Sequence, residues 1–189
     1  MVRQHVTGPF AIRVRDIVHR PGEMREFERD VQAPEKWGEG LVSVDAGEPI
    51  DLDVRVESVH EGILVSGSAD TEYTGVCGRC LTDIARDVRV EFQELFAYPG
   101  DEATDFEVQD DHVDLETLVR DAIVLSLPFQ PVCQPDCPGL DPATGERLTA
   151  STGTEQHEPL DPRWAALQGY TTDHDDEAPR PGVENTEES

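Results

Sequence analysis

Four cysteines in two short pairs, Cys77-Gly-Arg-Cys80 and Cys133-Gln-Pro-Asp-Cys137, constrain this chain more than any other feature. They are its only cysteines, and each pair sits among turn-forming residues. Two or three residues between thiolates reproduce the bite of a metal knuckle, and two such pairs can complete a tetrahedral four-thiolate zinc site. The long interval from Cys80 to Cys133 means that a shared ion would staple two distant elements instead of folding a compact ribbon. The expected role of Cys77, Cys80, Cys133 and Cys137 is therefore structural zinc binding. Two other readings stay open: thiol redox chemistry at Cys77-x-x-Cys80, and cysteines that bind nothing. The redox reading lacks the expected setting at the start of a helix, and Arg79 alone is weak support for a lowered thiol pKa.

The rest of the chain reads mostly as strands. Phe10, Ile12 and Val14 alternate with polar neighbours, Pro21-Gly22 marks a turn, and Met24 to Val31 suits a return strand. A short strand fits Leu41–Val44 within an otherwise connecting segment. The cleanest alternation places Ile50, Leu52, Val54 and Val56 on one side and Asp51, Asp53, Arg55 and Glu57 on the other. Such a strand has one buried and one wet face, as in an antiparallel sheet. Residues 63–77 and 87–92 continue the pattern around the first cysteine pair, which thus falls at a strand connection.

Residues 99–112 are acidic and turn-rich, which predicts an exposed loop. Asp114 can cap a helix carrying Leu115, Leu118, Val119, Ala122 and Ile123 at spacings of three and four, and Pro128 ends it. The further apolar residues Val124, Leu125 and Leu127 predict broad burial of its C-terminal end. The expected class is α+β: a predominantly antiparallel β-sheet with one principal helix, a four-cysteine metal staple and an acidic disordered C-terminal tail. Residues 1–149 form the expected domain and residues 150–170 a segment docking through Trp164 and Leu167. Residues 171–189, with seven acids and one arginine, read as disordered.

Charge narrows the partners. The 189-residue chain has 37% hydrophobic residues and a formal charge of −26. Residues 1–40 hold seven basic and seven acidic side chains, whereas residues 41–189 hold eight basic against thirty-four acidic. A field of this sign repels phosphate backbones and attracts basic proteins. Arg3, Arg13, Arg15, Arg20, Arg25 and Arg29 are the sizeable candidate for RNA contact, interleaved with Asp16, Glu23, Glu26 and Glu28. No apolar run resembles a signal peptide or a membrane span, so a cytoplasmic protein without membrane contact is expected. The six histidines (His5, His19, His60, His112, His157, His174) are scattered, and no phosphate loop or nucleophile elbow occurs. Nothing in the sequence argues for an enzyme.

Several segments occur together in a familiar order: Val76-Cys77-Gly78-Arg79-Cys80-Leu81, then Asp114-Leu115 opening a helix that closes with Leu125-Ser126-Leu127-Pro128. Cys133, Cys137, Gly139-Leu140 and Asp161-Pro162-Arg163-Trp164-Ala165-Ala166-Leu167 follow. Over residues 10–168 the chain resembles the YceD family, the large ribosomal RNA subunit accumulation proteins. The resemblance implies a non-enzymatic role in ribosome biogenesis, with family members often encoded beside a small basic large-subunit ribosomal protein. Together with the charge, it favours a basic ribosomal protein or a preribosomal particle as partner over direct RNA recognition. A redox or metal-responsive protein and an acidic interaction module unrelated to ribosomes are the alternatives. One departure stands out: many relatives continue after Gly-Leu with Cys-x-x-Cys-Gly, where this chain has Asp141-Pro142-Ala143-Thr144-Gly145. Asp141 is thereby a further, oxygen-bearing ligand candidate.

Overall fold

The computed structural model describes residues 8–100 and 105–149, together with Arg163. The elements are β1 (Ala11–Arg13), β2 (Met24–Gln32), β3 (Val42–Ser43), β4 (Pro49–Ser58), β5 (Gly62–Val76), β6 (Asp83–Ala97), β7 (His112–Asp114) and α1 (Glu116–Ser126). This is the antiparallel sheet with one helix that the sequence predicts. The predicted docking segment and acidic tail lie outside the described residues, apart from Arg163.

The main sheet runs β2–β4–β5–β6, entirely antiparallel, with β3 continuing the β4 edge beside the end of β5. Its alternation decides its two faces. Ile50, Leu52, Val54 and Val56 are all buried, while Asp51, Asp53 and Arg55 between them are exposed. Phe27, Val54, Gly67 and Phe92 stand directly opposite one another across four strands on the inner face. Gly67 is obligatory in that row. A Cβ there would lie 2.3 Å from the Asp53 carbonyl oxygen and 2.9 Å from the Phe92 ring.

A second layer covers only the inner face. Phe10, Ile12, Val14 and Val113 from the β1–β7 pair join Leu115, Val119 and Ile123 of the helix segment in one core with the sheet. Trp37 closes the layer and packs against Phe10, ring centroids 5.9 Å apart. Each side chain of this size contributes about 1.5–3 kcal/mol by leaving water.

Three details differ from the sequence expectations. The return strand β2 pairs with β4, and β1 pairs instead with β7, Ile12 opposite Val113. Part of the expected exposed loop is docked: Val108 is buried, and Ala97 exchanges backbone hydrogen bonds with Phe106 and Val108. The end of α1 is not broadly buried, because Leu125 is 85% exposed, although Val124 and Leu127 do pack against the core. The cap itself is close to expectation. The Asp114 carboxylate accepts the Glu116 N–H at 3.0 Å, with Leu115 at the capping position. Leu127 leaves the helix in extended geometry, as the residue before a proline prefers.

Candidate metal centre

The first cysteine pair occupies the turn between β5 and β6. The Cys77 N–H donates to the Thr82 carbonyl at 2.8 Å, and the Leu81 N–H donates back to the Cys77 carbonyl at 2.9 Å. Leu81 adopts a φ of 57°, so the chain curls tightly after Cys80. The second pair follows α1, and backbone joins the two turns directly: the Gly78 N–H donates to the Pro131 carbonyl at 2.8 Å. Gly139, at a φ of 87°, lets the chain leave the second turn close beside Arg79.

These turns bring all four sulfurs within 4.8 Å of one another. Cys77 Sγ lies 3.8 Å from Cys137 Sγ, and Cys80 Sγ lies 3.6 Å from Cys133 Sγ, so both contacts cross between the pairs. An ion with metal–sulfur bonds of about 2.3 Å in a tetrahedron needs sulfurs about 3.8 Å apart. The cluster therefore fits one tetrahedral structural metal. Cys77, Cys80 and Cys137 are buried and Cys133 is half-buried, in a dry setting shared with Ile84 and Val132. All four are unbridged thiols.

Hydrogen bonds distribute protons unequally over the cluster. The Cys80 backbone N–H, followed by that of Arg79, stabilises the Cys77 thiolate and lowers its pKa to about 6. The Thr82 hydroxyl, 3.1 Å from Cys80 Sγ, lowers Cys80 as well. Cys133 is pushed up to about 12, first by its contact with Cys137, and burial raises Cys137. Hydrogen bonding thus favours the thiolate form more in the β5–β6 turn than in the second pair.

Three arginines brace the two turns outside the sulfur cluster. Arg79 reaches from the first turn to the Cys137 carbonyl at 3.1 Å. Arg86 of β6 donates to the Val132 and Cys133 carbonyls at 2.9 and 2.7 Å. Arg147 donates to the Cys80 and Leu81 carbonyls at 3.1 and 3.3 Å. Their positive charge also suits a four-thiolate site, which keeps a net negative charge around a divalent ion. Sequence reasoning missed this shell. Thr82 was detectable by its nearness to Cys80, but nothing in the strand pattern marks Arg86.

With this geometry in place, comparison with known proteins is informative. The family model for large ribosomal RNA subunit accumulation protein YceD matches residues 65–169. This chain belongs to the YceD family. Its relatives include an uncharacterized protein of Mycobacterium tuberculosis, 44% identical over 173 residues, covering 87% of this chain and 83% of that protein. An uncharacterized Mycobacterium leprae protein is 36% identical over 172 residues, covering 87% and 79%. The uncharacterized protein YlbN of Bacillus subtilis is 27% identical over 121 residues, covering 61% and 68%. No solved structure matches the chain.

The segment after Leu140 has a definite structure. The Asp141 carboxylate accepts the Ala143 and Thr144 N–H groups at 2.7 and 3.0 Å, and those bonds lower its pKa. It closes a small turn bridged by Leu140 and Arg147. Asp141 is not among the converging ligands; among the described residues these are the four cysteines alone. Two of the described histidines make contacts elsewhere: His19 packs at a tilt against Tyr98 with ring centroids 4.2 Å apart, and His112 Nδ1 lies 2.7 Å from the Asp110 carbonyl. Arg15 faces Asp111 at 3.8 Å and Arg25 faces Glu23 at 3.4 Å, while Arg3 lies outside the described residues. No helix among the described residues is long and apolar enough to cross a membrane.

Proposed function

We propose that this YceD-family chain is a non-enzymatic, cytoplasmic factor for large-subunit ribosomal RNA accumulation, acting through a basic ribosomal protein or a preribosomal particle. The family match over residues 65–169 carries this reading. The formal charge of −26 supports a protein partner over general RNA binding, because like charge opposes approach to phosphates. The four-cysteine cluster takes zinc, whose preference for tetrahedral thiolate ligands suits this donor set, and the ion is structural. A closed set of four protein ligands leaves no position for water or substrate, which favours a staple over catalysis.

The test is a gradient profile with precursor mapping in cells depleted of the protein. The expected result is loss of mature large-subunit RNA with small-subunit RNA spared. Normal profiles would remove the ribosomal reading.

A further inference from the structure

The inner face of the main sheet is covered by a second layer; its outer face carries none among the described residues. On that face, rows of directly opposed residues run Glu26, Arg55, Ser66, Gln93 and then Glu28, Asp53, Ser68, Glu91. A groove of about 960 Å³ is lined by these two rows, together with Arg89 and the intervening row from Phe27 to Phe92, and spans β2 to β6. Ser66 and Ser68 supply a low floor between longer side chains.

Its charges are largely unneutralised. Arg55 lies 3.3 Å from Glu57, and Arg89 lies 2.8 Å from Asp70 and also donates to the Ser68 hydroxyl at 3.0 Å. Glu26, Glu28, Asp53 and Glu91 have no ion-pair partner among the described residues. They do not converge as a cation site; among the described residues the four cysteines are the group close enough together for that. Glu28, Asp53 and Glu91 instead share one row, and Glu26 stands two residues from Glu28 in the next. Alternate side chains of a strand, and equally of an extended peptide, recur about every 6.8 Å.

We infer that this groove is the docking surface for an extended, arginine- and lysine-rich polypeptide segment. Cationic side chains at alternate positions would meet the carboxylates of successive rows, and the shallow serine floor leaves room for the peptide backbone. Charge complementarity selects this occupant and disfavours nucleic acid, whose phosphates would face the same carboxylates. The inference rests on the reading that the chain acts through a basic protein partner, and it names the surface and the conformation of the segment bound.

The test measures binding of a synthetic peptide of alternating arginine and threonine by fluorescence anisotropy. The full chain is compared with E28Q/D53N/E91Q and with a charge-matched control, E35Q/E39Q/D121N, altered at exposed positions off this face. The groove variant should bind at least about tenfold more weakly at low salt, and the control within about twofold of the parent. Equal losses in both variants would assign attraction to the overall charge and overturn the inference. So would absence of peptide binding, or an RNA oligonucleotide that binds the parent chain in preference to the peptide. Re-expression in depleted cells separates the two readings. If depletion leaves ribosomal RNA normal while peptide binding maps to the groove, the ribosomal reading fails and the surface stands. If the parent and the groove variant both restore large-subunit RNA, the ribosomal reading stands and the groove is not the working surface.

Discussion

The cysteine end of the main sheet and its open outer face use polar chemistry in opposite ways. At the cysteine end, four sulfurs are largely withdrawn from water, and three arginines occupy the carbonyls around them. On the open face, carboxylates stay wet and mostly unpaired, held apart by the pleat. Directional contacts at short range resist rearrangement, so the first region can fix the fold. A diffuse field extends about 8 Å into physiological salt, so the second can attract a partner without holding the protein together. On the proposed reading, stability and recognition fall to different parts of one sheet.

The strongest way to break this division is at the sulfurs. Cys77→Ser should abolish stoichiometric metal binding and cost at least about 4 kcal/mol, lowering the melting temperature by roughly 10 °C or more. Metal analysis with calorimetry checks both, and unchanged melting would sink the staple. Ile123→Ala, in the core beneath the sheet, should cost about 3 kcal/mol while leaving metal content intact, as measured by urea unfolding. Arg86→Ala leaves the sulfurs untouched but frees two carbonyls. It should weaken zinc retention against a chelator about tenfold, with Arg86→Lys intermediate. The smallest effect belongs to the outer face. E28Q/D53N/E91Q should change stability by no more than about 0.5 kcal/mol, because it removes exposed charges that have no ion-pair partners. A thermal melt that falls by many degrees would show that the face is structural after all.

How much of this was readable before folding depends on the distance over which each signal acts. The β4 alternation is local, since burial repeats every second residue, and it names Ile50, Leu52, Val54 and Val56 without any partner strand. The cysteine spacing is equally local, and convergence of the pairs followed from ligand number. Leu125 misleads because an apolar run at a helix end implies broad burial. Two residues beyond Ile123 is about 200° around the helix, so it faces away from the core. The β1–β7 pairing was hidden because three-residue strands carry too short a pattern to choose a partner. Arg86 and the acidic groove were hidden for a related reason. Both arise from strand pairing, which decides what lies across from a residue.

The location of the first cysteine turn has a consequence for error in strand pairing. It closes the longest hairpin among the described residues, whose ladder runs from Val76 opposite Asp83 to Gly62 opposite Ala97. Sliding one strand by a single position would exchange its two faces, turning Glu91 and its outer neighbours inward and Phe92 outward. A metal-gripped turn admits only one loop length. An ion bound there would act as an alignment pin, and its removal would first be felt as misaligned strands that expose apolar surface.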